Sequence, residues 1–254
     1  MTIREAIEVR KSVRTFKKEA VDGVVMARLR EMCRNVRQCL PGQEARIVVI
    51  ERGIEGRVGT YGIISGAQCC LALVYRDVDN LSPVNAGMVM EKVVLWLTQQ
   101  GLGTCWLGGT FSRGDVAAAA SPATDEQVAA IVVLGVAAER ERLVARMMQR
   151  FAHSHQRKPF NELFDTGSDH SYDAALELMR LAPSALNGQP WRAVAEGNKV
   201  HFFCTKPEGL GLLDMGIGLA HFAEGTDHPG KWETIESAAA LRPGWRYVIS
   251  FLAR

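Results

Sequence analysis

The sequence predicts an α+β protein of two unequal lobes related by an internal duplication. Three observations carry this expectation. A helix, two strands, an apolar helix and a closing strand follow one another in the first half, and the same order recurs, shortened, in the second. The segments NAGMVME and DMGIGLA align Asn85 with Asp214, Gly87 with Gly216, Met88 with Ile217 and Met90 with Leu219. Between the halves, ERERLVARMMQRFAHSHQRKP turns basic and polar, as an exposed connection would. The lobes are expected over residues 1–165 and 166–254.

The elements follow in order. Residues 2–9 suit a short helix, and Val24 to Cys39 places apolar residues at helical spacing. ARIVVIE from Ala45 and CCLALVY from Cys69 read as strands. NAGMVMEKVVLWLTQQG from Asn85 is apolar on most faces, hence a buried helix, closed by Gly101. TCWL is a strand, DVAAAA and DEQVAA short helical pieces, and AAIVVLGVA another strand. In the second half DAALELMRL is a helix, WRAVAEG and KVHFFCT are strands, LDMGIGLAHFAEG matches the buried helix, and RYVISFL closes the set.

Composition excludes some classes. The 254 residues are 47% hydrophobic and 23% charged, enough for a sizeable core. A net charge of +2 gives no general case for nucleic acid or a membrane surface. The N-terminus MTIREAIEVRKSVRTF lacks the apolar stretch of a signal peptide, and no apolar run is long enough to span a bilayer. Six cysteines without a CxxC pair read as reduced, mostly buried thiols in a cytoplasmic protein. Cys69 and Cys70, as neighbours in a strand, should point to opposite faces.

Four short stretches carry chemistry. In RKSVR, the cations Arg10, Lys11 and Arg14 surround Ser12. Guanidinium forks match phosphate oxygens, and an extended backbone would put Arg10, Ser12 and Arg14 on one face. The same run would also serve as a solvated basic surface. In GLGTCWLGG, Leu107, Gly108 and Gly109 end a strand where absent side chains let backbone approach a flat ligand, or simply form a turn. QRKP adds Arg157 and Lys158, a small cationic patch. In APSALNGQPWR, Pro183, Ser184, Ala185, Leu186, Asn187 and Gln189 make a rigid polar loop between two prolines. That loop would read the edge of a heteroaromatic ring or cap its own backbone. No metal-ligating set stands out.

Together these pieces resemble the nitroreductase-like FMN-dependent oxidoreductase superfamily. Its marks are an R-x-S-x-R/K near the N-terminus, an S-x-x-N-x-Q-P-W loop, a G-L-G-T-C-W-like segment and a late R-x-P, and all are present between residues 4 and about 225. The resemblance implies a nitroreductase-like fold with mixed or antiparallel sheets flanked by helices. Ordinary members are homodimers with FMN at the interface, one subunit supplying R-x-S-x-R and its partner the S-x-x-N-x-Q-P-W loop. Here the first half carries NVRQCLPGQEAR where that loop would stand, and the loop appears only in the second half. The chain is therefore similar to a subgroup in which two unequal family-like lobes are fused into an internal pseudo-dimer.

The resemblance further implies roles. Arg10, Ser12 and Arg157, with Lys11 and Lys158 nearby, would hold the FMN phosphate. Arg14 would lie at the pyrimidine edge, where a cation favours the reduced anion. Leu107, Gly108 and Gly109 would face the flavin N5. Pro183, Ser184, Ala185, Leu186 and Asn187 would contact the ring from the second lobe, with Asn187 and Gln189 also free to serve the loop's own backbone. The implied reaction is ping-pong: NAD(P)H reduces FMN, and a nitroaromatic, a quinone or a similar small electron acceptor takes the electrons. No side-chain acid or nucleophile is expected, and Cys105 reads as a structural thiol. A flavin store or sensor without turnover, another flavin chemistry on the same scaffold, and an inactive site are the alternatives. One site per chain is expected, because residues 165–180 and the C-terminal tail hold no second R-x-S-x-R or R-x-P. The pseudo-dimeric chain could then act as a monomer.

Overall fold

A computed structural model describes residues 1–51, 62–140, 142–145, 147, 156–168 and 170–254. Helix α1 (Ile3–Val9) opens with Thr2 and Glu5 closing a reciprocal capping box. Then come α2 (Gly23–Asn35), β1 (Ala45–Glu51), β2 (Cys69–Tyr75), α3 (Leu81–Gln99), β3 (Gly103–Leu107), α4 (Arg113–Ala120) and β4 (Gln127–Gly135). The second half holds α5 (Phe160–Leu163), β5 (Phe164–Asp165), α6 (Asp173–Arg180), β6 (Trp191–Glu196), β7 (Lys199–Cys204), α7 (Gly211–Gly225), β8 (Gly230–Glu233) and β9 (Arg246–Ala253).

The two sheets repeat one topology. The first runs β1-β2-β4-β3 and the second β5-β6-β7-β9-β8. Apart from β5, each strand of one has its counterpart in the other, in the same spatial order, and those shared pairings are antiparallel. The fold is thus two unequal lobes in one chain, with α3 and α7 packed together between their sheets. The aligned glycines explain how close these helices come. A Cβ on Gly87 would lie 2.2 Å from Leu213 O, and one on Gly216 would lie 1.9 Å from Val84 O. Only glycine lets the two backbones meet there.

Asn85 and Asp214, aligned in sequence, hold equivalent loops. Asn85 Oδ1 accepts from the backbone of Cys39 (2.7 Å) and Leu40 (3.0 Å). Asp214 accepts from the backbone of Ala185 with both carboxyl oxygens, at 3.1 and 3.0 Å. The Cys39–Leu40 contact also stops α2 at Asn35, four residues short of its expected end, by drawing the chain into a loop. Helix α3 begins at Leu81, earlier than the pattern suggests, because Asp79 Oδ1 accepts from Leu81 N and Ser82 N and Pro83 is tolerated in a first turn.

One expected element is wrong. DEQVAA is not helical, because β4 starts at Gln127 and pairs with Val74 and Tyr75 of β2. Alanine favours helix, but the ladder satisfies the backbone and buries Ala130. Strands β5 and β8 have no clear sequence pattern and form only as edge strands of the second sheet. Much of the expected connection from Glu139 to Pro159 lies outside the described residues. Cys69 and Cys70 do point to opposite faces of their sheet, and all six cysteines are free, five of them buried. Among the described residues no helix is long and apolar enough to cross a membrane, and no group of side chains could hold a metal ion.

Candidate functional site

The RKSVR segment is extended, as expected, and lies along the edge of β3. Ser12 bridges Thr104 in parallel, and Val13 N donates to Thr104 O at 2.8 Å. Gly103 permits this approach, since a Cβ there would sit 2.9 Å from Val13 Cβ. The alternation leaves Arg10, Ser12 and Arg14 half-buried and turns Lys11 out to solvent. In the second sheet the corresponding edge lies beyond β8, whereas the added strand β5 sits at the opposite edge, against β6.

The guanidinium groups of Arg10 and Arg157 lie near one another here, and Arg180, also near Arg157, is held by Glu177 through two hydrogen bonds. Arg10 Nε is enclosed and has no hydrogen-bond partner among the described residues. Burial lowers the pKa of Arg10, with Glu91 and Cys105 opposing the shift. Burial also lowers that of Arg157, and the nearby charges of Arg10 and Arg180 lower it further. Like charges gathered in a poorly solvated corner, one with an unmet donor, form a place for an anion.

The second-lobe loop closes on this corner. Its backbone is unusual: Leu186, Asn187 and Gln189 all have positive φ, at 49°, 55° and 48°. Asparagine tolerates this, whereas leucine and glutamine need the surroundings to impose it. The surroundings are the QRKP segment. Arg157 donates to Asn187 Oδ1 at 3.0 Å and to Leu181 O at 3.1 Å. Asn187 Nδ2 donates to Gln156 O at 2.8 Å, Lys158 N to Gln189 Oε1 at 2.9 Å, and Gln189 N to Ser184 Oγ at 3.0 Å. Asn187 and Gln189 therefore anchor the loop to the segment that carries Arg157. Leu186 is left at the tip, 76% exposed, with Ala185 also exposed and Pro183 half-buried.

Two expected positions behave differently from the motif reading. Lys158 Nζ turns to Glu162, at 2.9 Å, and not to the arginine cluster. Gly108 owes its missing side chain to the second lobe: a Cβ there would lie 2.2 Å from Leu210 Cδ1. Gly109 next to it has open space, and Leu107 is buried. Cys105 is buried within the strand, as a structural thiol would be.

The structure adds residues the motifs did not reveal. Glu91 and His221, both fully buried, lie 2.9 Å apart across the α3–α7 contact. Trp106, in the glycine-rich segment, donates to the other Glu91 oxygen at 2.7 Å. His221 Nδ1 faces Leu178 O at 3.1 Å, so that nitrogen carries a hydrogen. Glu91 thus faces a site strand, the second lobe and the charge of Arg10. Each is an ionisable residue set in a mostly apolar helix, the one signal in sequence that could have found them. Arg180, Leu210 and Asp214 carried no motif. Two open clefts of about 500 and 710 Å³ are lined by residues of the second half of the chain and include none of the residues named from the motifs.

The donor set fits a flavin mononucleotide at its phosphate end. The enclosed Arg10 Nε and the neighbouring Arg157 suit an anion, and Ser12 stands on the same side of the extended segment. Residues from both lobes meet at this one seam.

The sequence matches the family described as "Putative TM nitroreductase" over residues 2–226. Among curated proteins none matches significantly. A "putative nitroreductase" from Thermotoga maritima shares the fold over 100% of this chain and 94% of its own, with a TM-score of 0.67 at 21% identity. A Clostridium difficile nitroreductase family protein aligns with 64% of this chain and 96% of its own, at 17% identity and a TM-score of 0.49. A Bacteroides fragilis nitroreductase with bound FMN aligns with 56% of this chain and 91% of its own, at 16% identity and a TM-score of 0.45. With its family match spanning most of its length and its two lobes built on one topology, the chain belongs to the nitroreductase family described as "Putative TM nitroreductase".

Proposed function

We propose that the chain is an FMN-dependent oxidoreductase that uses NAD(P)H to reduce a nitroaromatic, a quinone or a similar electron-poor acceptor. The observation that carries this reading is the meeting of Arg10 and Arg157 at a seam closed by the Ser184–Gln189 loop of the same chain. In this reading residues 1–165 supply Arg10, Ser12, Arg14 and Arg157, and residues 166–254 supply the loop. Bound FMN would supply the redox chemistry, taking a hydride from NAD(P)H and passing the electrons to the acceptor.

The chain's own residues bind and orient. Arg10, Ser12 and Arg157 hold the phosphate, and Arg14 lends positive charge to the ring edge. Pro183 to Asn187 pack against the ring, pinned by Arg157 and Asp214. Gly109 leaves room beside β3. No side chain here is assigned as a general acid or nucleophile. Among the described residues only the first sheet has an extended basic segment along its β3 edge, which supports one site per chain and a chain that acts alone as a pseudo-dimer. Free, buried thiols suit the reducing cytoplasm.

Leu210 against Gly108 favours a second reading, a flavin store or sensor, because it narrows the space beside the glycine pair. The two readings separate in one experiment. Purified protein is examined by absorbance for FMN, one per chain, and then assayed for NAD(P)H oxidation with a quinone or a nitrofuran. Turnover supports the oxidoreductase. FMN at one per chain without turnover supports the store, and failure to bind added FMN refutes both.

A further inference from the structure

Asn85 and Asp214 hold equivalent loops, yet they differ in one respect. Asn85 is a neutral amide whose oxygen accepts two backbone N–H groups and whose Nδ2 faces Arg37 O at 3.4 Å. Asp214 is a carboxyl group, 6% exposed, that faces the single N–H of Ala185 with both oxygens at nearly equal distance. The loop that Asn85 holds lies away from the candidate site, whereas the loop that Asp214 holds forms part of it.

The symmetric contact has a chemical consequence. A carboxylate accepts through either oxygen, so both face an N–H comfortably. A carboxylic acid carries hydrogen on one oxygen, and that hydrogen cannot point at the Ala185 N–H. The acid keeps the Ala185 N–H on its carbonyl oxygen alone, so protonation exchanges a charge-assisted contact shared by two oxygens for a single neutral one and weakens the start of a loop whose backbone is already held at positive φ. We propose that Asp214 is a positioning residue whose proton decides how the 184–189 loop is anchored, so that the candidate site tightens when the carboxyl group loses its proton.

The surroundings allow this. Burial pushes the Asp214 carboxyl up to about 7, opposed only by the Ala185 N–H. On β7 it faces Cys204, whose thiol burial pushes up to about 11, leaving it neutral here. Glu208, in the segment before α7, and Arg192, on β6, lie near the same thiol. Helix α3 meets this turn of α7 through Val84 and Gly87, and its Glu91 and Lys92 face His221 and Glu224 further along. From α6 the neighbours of α7 are the apolar Met179 and Leu178.

The test has two arms. In ligand-free protein, the backbone amide resonance of Ala185 is followed by NMR from pH 5.5 to 8.5. A titration with a midpoint near neutrality that vanishes in Asp214→Asn is expected. A resonance that does not titrate, or that titrates alike in both proteins, overturns the proposal. The second arm rests on the proposed function and measures FMN affinity by fluorescence across the same range. Affinity should rise roughly threefold to tenfold from pH 6 to pH 8 in the parent relative to Asp214→Asn, a ratio that cancels the titration of FMN itself. An equal pH dependence in both proteins counts against it. If neither binds FMN, the proposed function fails while the Ala185 arm still decides the role of Asp214. Asn85→Asp serves as control, placing a carboxyl group at the equivalent loop outside the site, and it should leave the Ala185 titration unchanged.

Discussion

Arg157 reaches across 30 residues to donate a hydrogen bond to Asn187 Oδ1 at 3.0 Å, and Asn187 in turn donates to the carbonyl of Gln156 at 2.8 Å. This exchange makes one unit of two motifs that are separate in sequence. Asn187→Ala removes the acceptor of a charged donor and a residue suited to φ of 55°. A contact of this kind contributes about 1.5–3 kcal/mol, so FMN affinity should fall about tenfold to a hundredfold. Fluorescence titration measures it, and unchanged affinity would separate the loop from the site.

Arg10 presents an opposite balance of stability and binding. Its Nε lies enclosed without a hydrogen bond among the described residues, a cost in the ligand-free protein. Arg10→Met should weaken FMN binding by about tenfold or more without lowering the melting temperature of ligand-free protein. A large drop in that temperature, measured by calorimetry, would mark Arg10 as structural.

The α3–α7 contact should be intolerant of a single methyl group. Gly216→Ala places Cβ 1.9 Å from Val84 O and 3.0 Å from Gly87 Cα, both backbone atoms that cannot yield by a rotamer change. A loss of more than about 3 kcal/mol is expected in urea denaturation, because two helices and the seam they hold must separate. Stability within 1 kcal/mol of the parent, the scale of an ordinary substitution, would contradict the packing.

Asp214 also sets a pH dependence of stability. Its carboxyl titrates near 7 in the folded chain against an ordinary 3.8. Between those values the native state holds a proton that the unfolded state has released. This group's contribution is therefore fully present below about 4, declines as pH rises towards 7, and is level above. The decline amounts to about 4 kcal/mol at most. Asp214→Asn should remove it, so the variant gains on the parent between pH 5 and pH 8 in denaturant titrations. Parallel curves would place the Asp214 proton elsewhere.

Glu91 and His221 join the lobes through a fully buried contact. Glu91→Ala leaves His221 and Trp106 without their carboxylate and should cost about 3–5 kcal/mol. In a double-mutant cycle with His221→Ala the two effects should fall well short of additive. Simple additivity would mean that the pair does not act as one.

Much of this was legible in the chain itself. The alignment of Gly87 with Gly216 and of Asn85 with Asp214 is local text, and both pairs do equivalent work in the two lobes. RKSVR was readable as an extended, one-faced cationic segment because strand periodicity is a property of neighbouring residues. The helical reading of DEQVAA failed because alanine propensity is weak and a partner strand, remote in sequence, overrode it.

Periodicity and element order thus determined the lobes and the duplication, and the family resemblance named the residues of the candidate site. Only the tertiary structure decided which of those residues act on each other. That Lys158 turns to Glu162, that Leu210 fills the space Gly108 leaves, and that Glu91 meets His221 across 130 residues depend on how two sheets and two central helices pack. Side-chain contacts of this kind fall off within a few ångströms, whereas sequence separation carries no information about distance once the chain has folded back on itself.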